Sequence, residues 1–213
     1  MIRLAIENDF YIIEDDYDSE FRYSGPPVSP IYCMGSSHVV YVGTFSKTLF
    51  PALRIGFVVL PKLLQKKWRH YRNYMDVQNP ILEQVALTNF LHMRKIDKHV
   101  RRMRKVYGEK RVFLLNTIDN MFGGSVQPWG DTSGPHIALQ FSGMDFGENF
   151  ERKCREAGIR ISSITRYCPM KDSHNDKLLL GYGHLSDAQI HEGIRQLHEV
   201  ITKKKPPMYN DDW

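Results

Sequence analysis

The 213 residues carry 42% hydrophobic and 25% charged side chains, ordinary globular proportions that exclude a disordered or collagen-like chain. This length suits one large domain or two small ones, and apolar stretches such as residues 56–60 and 178–180 are far too short for a membrane-spanning helix. Lys and Arg outnumber Asp and Glu by 29 to 24, and three widely spaced cysteines (Cys33, Cys154, Cys168) argue against a disulfide framework or a structural zinc site.

Met1 is followed by Arg3, Glu7 and Asp9 with no apolar signal region, so a cytoplasmic protein without a membrane anchor or a metal is expected. Residues 1–8 read as the last turns of a helix that runs into a strand at 10–14. Further strands are predicted at 39–44 and 54–60, all three as short apolar runs of the kind buried on both faces. Pro26, Pro27 and Pro30 place a loop between the first two. Helices follow at 62–74, 80–93 and 96–120, and Gly123-Gly124 and Gly130-Asp131 then break the pattern. The remainder reads strand 135–141, helix 146–157, strands 159–164 and 177–182, and helix 186–202. In that last helix Ile190, Ile194, Leu197 and Ile201 form one stripe, and Ser186 with Gln189 forms a capping box. Residues 203–213 are expected to be a flexible tail. The class is α/β, with 1–105 as part of a larger domain, 106–202 as a small α/β domain, and a start that falls in the middle of a domain, since few strands precede the long helix.

Nine Lys/Arg fall between residues 94 and 111 against Asp97 and Glu109, a local +7. Ile96, Val100, Met103, Tyr107, Leu114 and Ile118 recur at helical spacing through the same window, which makes it one amphipathic helix. A solvated basic face is the simpler reading, and nucleic acid the second, since no aromatic platform or reading head accompanies the charge.

Two segments carry chemistry. The first, Ile12-Ile13-Glu14-Asp15-Asp16-Tyr17-Asp18, puts acids at the carboxyl end of a strand, where open α/β sheets place ligands. Alone, it reads equally as a metal site or a capping loop. The second, Thr44-Phe45-Ser46-Lys47 followed by Arg54, puts a lysine just after a strand; a lone Ser-Lys signals nothing.

Together, in this order and 32 residues apart from Asp15 to Lys47, they resemble fold-type I pyridoxal-phosphate enzymes. The wording of IIEDDYDSEFRY and YVGTFSKTLFPALRIGFVVLP, with LLLGYGHLSDAQIHEGIRQL near the end, is similar to the aminotransferase-like domain of MocR/GabR-type regulators of the GntR superfamily. The resemblance implies pyridoxal 5'-phosphate as cofactor, bonded covalently by Lys47. It implies Asp15 at the pyridine nitrogen, Tyr17 at the phenolic oxygen, and Thr44, Ser46 and Arg54 at the phosphate. Each position has a plainer reading too: a capping acid, or a buried tyrosine that finds some partner. For the substrate carboxylate, aminotransferases carry an arginine in a late strand where this chain has Leu179, whereas Arg166 matches the carboxylate-binding arginine of the regulators. A surface arginine is the alternative there.

What the resemblance implies is therefore an effector-sensing domain that binds a small amine or amino acid and associates as a homodimer. DNA would be reached only through an N-terminal winged helix-turn-helix absent from these residues. The alternative is an aminotransferase, or a fragment of one, that transfers amino groups between amino acids and keto acids. Full turnover by this chain alone is not expected.

Overall fold

The computed structural model describes residues 1–23, 25–26, 28–75, 80–130, 133–147, 149–169 and 173–202. The chain divides into two compact units, Met1–Arg104 and Lys105–Trp213.

The first unit opens with α1 (Ile2–Glu7), then β1 (Ile12–Asp16), β2 (Val39–Thr44), the single turn α2 (Phe45–Thr48), β3 (Gly56–Val59), α3 (Lys62–Met75) and α4 (Ile81–His92). The strands form one sheet in the order β1-β2-β3. β1 runs parallel to β2 and pairs Asp15 with Val42, while β3 returns antiparallel and pairs Gly56 with Thr44. Two glycines allow this close return. A Cβ on Gly43 would lie 2.4 Å from the Phe57 ring, and one on Gly56 would lie 3.1 Å from the Gly43 carbonyl. Leu53, Ile55 and Leu87 form a small core with Phe45 and Leu49 packed against it.

The expectation of strands buried on both faces is corrected here. β1 alternates half-buried and exposed, with Ile13 73% exposed, and β3 is largely exposed. The apolar runs are present, but only one side of this sheet is packed within the unit, so alternation replaces continuous burial.

α5 (Lys95–Phe122) contributes residues to both units. The second unit continues with β4 (Val126–Trp129), β5 (His136–Phe141), α6 (Phe150–Glu156), β6 (Ser162–Ser163), β7 (Lys177–Gly181) and α7 (Asp187–Thr202). Its sheet is antiparallel in the order β4-β5-β7-β6. Alternation aims Ile137, Leu139 and Phe141 from β5, and Leu178 and Leu180 from β7, into one core. Leu114 and Ile118 of α5, Phe150 and Cys154 of α6 and the α7 stripe Ile190, Ile194, Leu197, Ile201 close that core. Ser186 caps α7 reciprocally: its N–H donates to Gln189 Oε1 at 2.9 Å, and the Gln189 N–H donates to Ser186 Oγ at 3.3 Å. Lys177 is buried, its ammonium 2.6 Å from the Asp176 carboxylate and 5.3 Å from the Trp129 ring, and this bond holds the Asp176 carboxyl below the usual range.

Three further expectations shift. Residues 126–129 are a strand, not a loop; Pro128 sits on the edge strand, where its missing N–H costs no ladder bond. The helix expected from 146 begins at Phe150, because Phe146 turns its ring onto Phe141 (5.2 Å) and Phe150 (4.5 Å). The strand expected at 159–164 shrinks to Ser162–Ser163 before a 3-10 turn at Ile164–Tyr167. The expected tail at 203–213 lies outside the described residues.

Candidate functional site

The acids of the first motif divide by strand face. Glu14 and Asp16 point to the side bearing Tyr41 and Phe57. The Glu14 carboxylate accepts the N–H groups of Ile31 (2.7 Å) and Tyr32 (2.9 Å). Asp16 accepts the hydroxyls of Tyr41 and Ser19, each at 2.8 Å, and the Ser19 N–H at 3.3 Å. Burial, and next the bond to Asp16, push the Tyr41 hydroxyl well above its ordinary value. These two acids are therefore structural: they fasten the segments that follow β1. Among the described residues no group of three or more His, Cys, Asp or Glu side chains is disposed to hold a metal ion.

Asp15 points the other way, onto the open face with Ile13, Val42 and Thr44. It is exposed, and among the described residues its carboxylate makes no hydrogen bond or ion pair. Tyr17 follows, 47% exposed, its hydroxyl raised first by the Asp18 charge, then by burial and by Asp15. Asp18 is itself raised, chiefly by burial and by Asp16, against the opposing pull of Lys47. Lys47 thus lies within electrostatic reach of the loop that follows β1.

The second motif is a cap followed by a strained turn. The Thr44 hydroxyl accepts the Ser46 N–H (3.1 Å) as the N-cap of α2 and donates to the Ile55 carbonyl at 3.4 Å. Lys47 lies in the last turn of α2, exposed, beside the buried Thr48, whose carbonyl accepts from His99 Nε2 at 3.0 Å. After the 3-10 turn Pro51–Leu53, Arg54 adopts the left-handed conformation at φ 52, ψ 33, a region a residue with a Cβ enters at a cost of about 1–2 kcal/mol. Its side chain is exposed, and among the described residues neither Arg54 nor Lys47 has a hydrogen bond or an ion pair.

Topology brings these groups to one end of the sheet. β1 and β2 are parallel, so Asp15, Tyr17, Thr44, Ser46 and Lys47 all fall at their carboxyl ends; β3 is antiparallel, so Arg54 enters at the same end. Arg166 belongs to the second unit, in the 3-10 turn Ile164–Tyr167, with Nη1 4.0 Å from Glu151 Oε2. Leu179 lies on the β7 face opposite the core and lines a cleft of about 710 Å³ with His136, Tyr167, His184 and Glu192.

No family model matches the chain. It is 34% identical over 203 residues to the uncharacterized HTH-type transcriptional regulator YdeL of Bacillus subtilis, covering 92% of this chain and 42% of that protein. Against the probable rhizopine catabolism regulatory protein MocR of Rhizobium meliloti it is 29% identical over 202 residues, covering 94% and 41%. Over nearly its whole length the chain is thus similar to part of the MocR-type regulators. The solved kynurenine aminotransferase of Pyrococcus horikoshii, a complex with PMP, superposes with a TM-score of 0.84 at 26% identity over 96% of this chain and 51% of that one. The fold is thus that of the fold-type I aminotransferases, and the chain spans about half the length of the solved enzyme and about two fifths of the regulators it matches.

Three features of the site escaped the sequence reading: the Asp16–Tyr41 bond, the Asp18–Lys47 coupling, and the His99 bond beneath Lys47. The alternation of β1 would have separated Asp15 from Glu14 and Asp16. The three named features all join residues far apart in sequence and leave no local signal.

Proposed function

We propose that this chain is the effector-sensing domain of a MocR-type regulator, holding pyridoxal 5'-phosphate through Lys47 and reading a small amine or amino acid. The observation that carries the proposal is the convergence of one amine, one guanidinium and one carboxylate, each without a hydrogen bond or ion pair among the described residues, at one end of the sheet. That donor set fits a phosphorylated aldehyde with a basic ring nitrogen. When bound, the cofactor supplies an electron sink for chemistry at an amine carbon.

In this reading Lys47 provides the nucleophilic amine and Asp15 holds a proton at the ring nitrogen. Tyr17 donates its hydroxyl to the phenolic oxygen. Arg54 offers its planar fork to the phosphate, with the Thr44 and Ser46 hydroxyls beside it. Arg166 takes the effector carboxylate. The partners are the small amine or amino acid, a second copy of the chain, and DNA reached through a winged helix-turn-helix carried by a longer polypeptide. Leu179, apolar where transaminases use an arginine, favours sensing over turnover.

The test is to incubate the chain with pyridoxal phosphate, reduce with borohydride and map the modified peptide. Modification is expected at Lys47. Label spread over the surface lysines of α3 and α5, with none at Lys47, overturns the proposal.

A further inference from the structure

α5 sorts its side chains by face. At 3.6 residues per turn, Lys95, Lys98, Arg101 and Arg102 fall within an arc of about 120°. His99, between them, turns inward to the Thr48 carbonyl, and Ile96, Val100 and Met103 are half-buried. The four cations are exposed, and among the described residues none has a hydrogen bond or an ion pair. Their neighbours differ: Arg94 binds Asp97 at 2.6 Å, and Arg104 donates to the Glu20 carbonyl at 2.8 and 2.6 Å. Lys95 with Lys98, Lys98 with Arg101 and Lys98 with Arg102 are like-charge pairs at i,i+3 and i,i+4, which disfavour the helix in isolation. A polyanion laid along the stripe would reverse that sign.

We infer that this stripe contacts the phosphate backbone of duplex DNA, an inference that rests on the regulator reading above. Lys95 to Arg102 span about 10.5 Å of helix axis, and their four cations can neutralise up to four phosphates of a duplex. An anionic membrane fits less well. A helix lying on a bilayer needs its apolar side free to enter the lipid, and here that side is packed within the unit. The contact positions a duplex and carries no sequence information.

The experiment measures binding of the whole 213-residue chain to a short fluorescent duplex of arbitrary sequence across a salt series. Four phosphates give a slope of log affinity against log salt of about −3.6, a fall of about 150-fold between roughly 50 and 200 mM. The Lys95→Gln, Lys98→Gln, Arg101→Gln, Arg102→Gln variant keeps good helix formers and should lose that slope. A control that removes as many charges from α3, Lys62→Gln, Lys66→Gln, Lys67→Gln, Arg69→Gln, should keep it. Equal loss in both variants, no duplex binding at low salt, or tighter binding to phosphatidylserine vesicles than to DNA would each overturn the inference. Labelling of Lys47 reports on the sensing proposal separately, so a chain that is labelled but ignores DNA sinks only this contact.

Discussion

Replacing Arg54 with glycine is expected to stabilise the first unit and at the same time weaken pyridoxal phosphate binding by about 10- to 150-fold. The two effects have separate causes. Arg54 sits at φ 52, where a Cβ crowds the following carbonyl at roughly 1–2 kcal/mol, and glycine removes that strain while adding roughly 0.5–1 kcal/mol of unfolded-chain entropy. The balance is about 0.5–1 kcal/mol, or a rise in Tm of about 2–8 °C for a unit of this size. The binding loss follows from the phosphate contact proposed for the guanidinium, since hydrogen bonds to a charged group contribute about 1.5–3 kcal/mol. Arg54→Ala should lose binding equally yet gain no stability, because alanine keeps the Cβ. Arg54→Lys should fall between, retaining charge without the planar fork. Titration with pyridoxal phosphate and thermal melts separate these outcomes. If Arg54→Gly binds like the parent chain, the phosphate role is wrong; if it melts lower, the strain argument is wrong.

Arg54 could be named as a candidate from the sequence, but its left-handed backbone could not. β2 was legible to the residue because Val39-Val40-Tyr41-Val42 is a run of β-branched and aromatic residues followed by Gly43 and the cap Thr44. The α5 and α7 stripes were equally plain, since helical periodicity is recorded in every turn. β4 was hidden because Pro128 removes the usual strand signature, and only its edge position makes it a strand. The candidate site was legible as a list of residues and not as an arrangement. Nothing in Leu53-Arg54-Ile55 announces a left-handed arginine. The Tyr41 bond to Asp16 spans 25 residues, and the His99 bond to Thr48 spans 51. Such long-range contacts depend on strand register, which short sequence windows do not encode.

In the second unit, Leu178→Ala is expected to cost about 3–5 kcal/mol, whereas Leu179→Ala, one residue on, should cost under about 1. β7 is an inner strand, bonded on both sides to β5 and β6, so its two faces meet different surroundings. Leu178 is 0% exposed, within a core that includes Leu139 (0%), Phe141 (1%) and Leu197 (1%). Removing three carbons there opens a cavity that strands on both sides keep from collapsing, which places the cost in the upper part of the usual range. Leu179 lies half-buried at the cleft, where water fills the space that alanine leaves. For a unit of about 100 residues, roughly 3 kcal/mol lowers Tm by about 12–24 °C, while the Leu179 variant should move it by only a few degrees. Differential scanning calorimetry on the two variants reads this contrast directly. Comparable shifts would mean that the alternation along β7 does not divide core from cleft, and the reading of Leu179 as a cleft residue would fall with it.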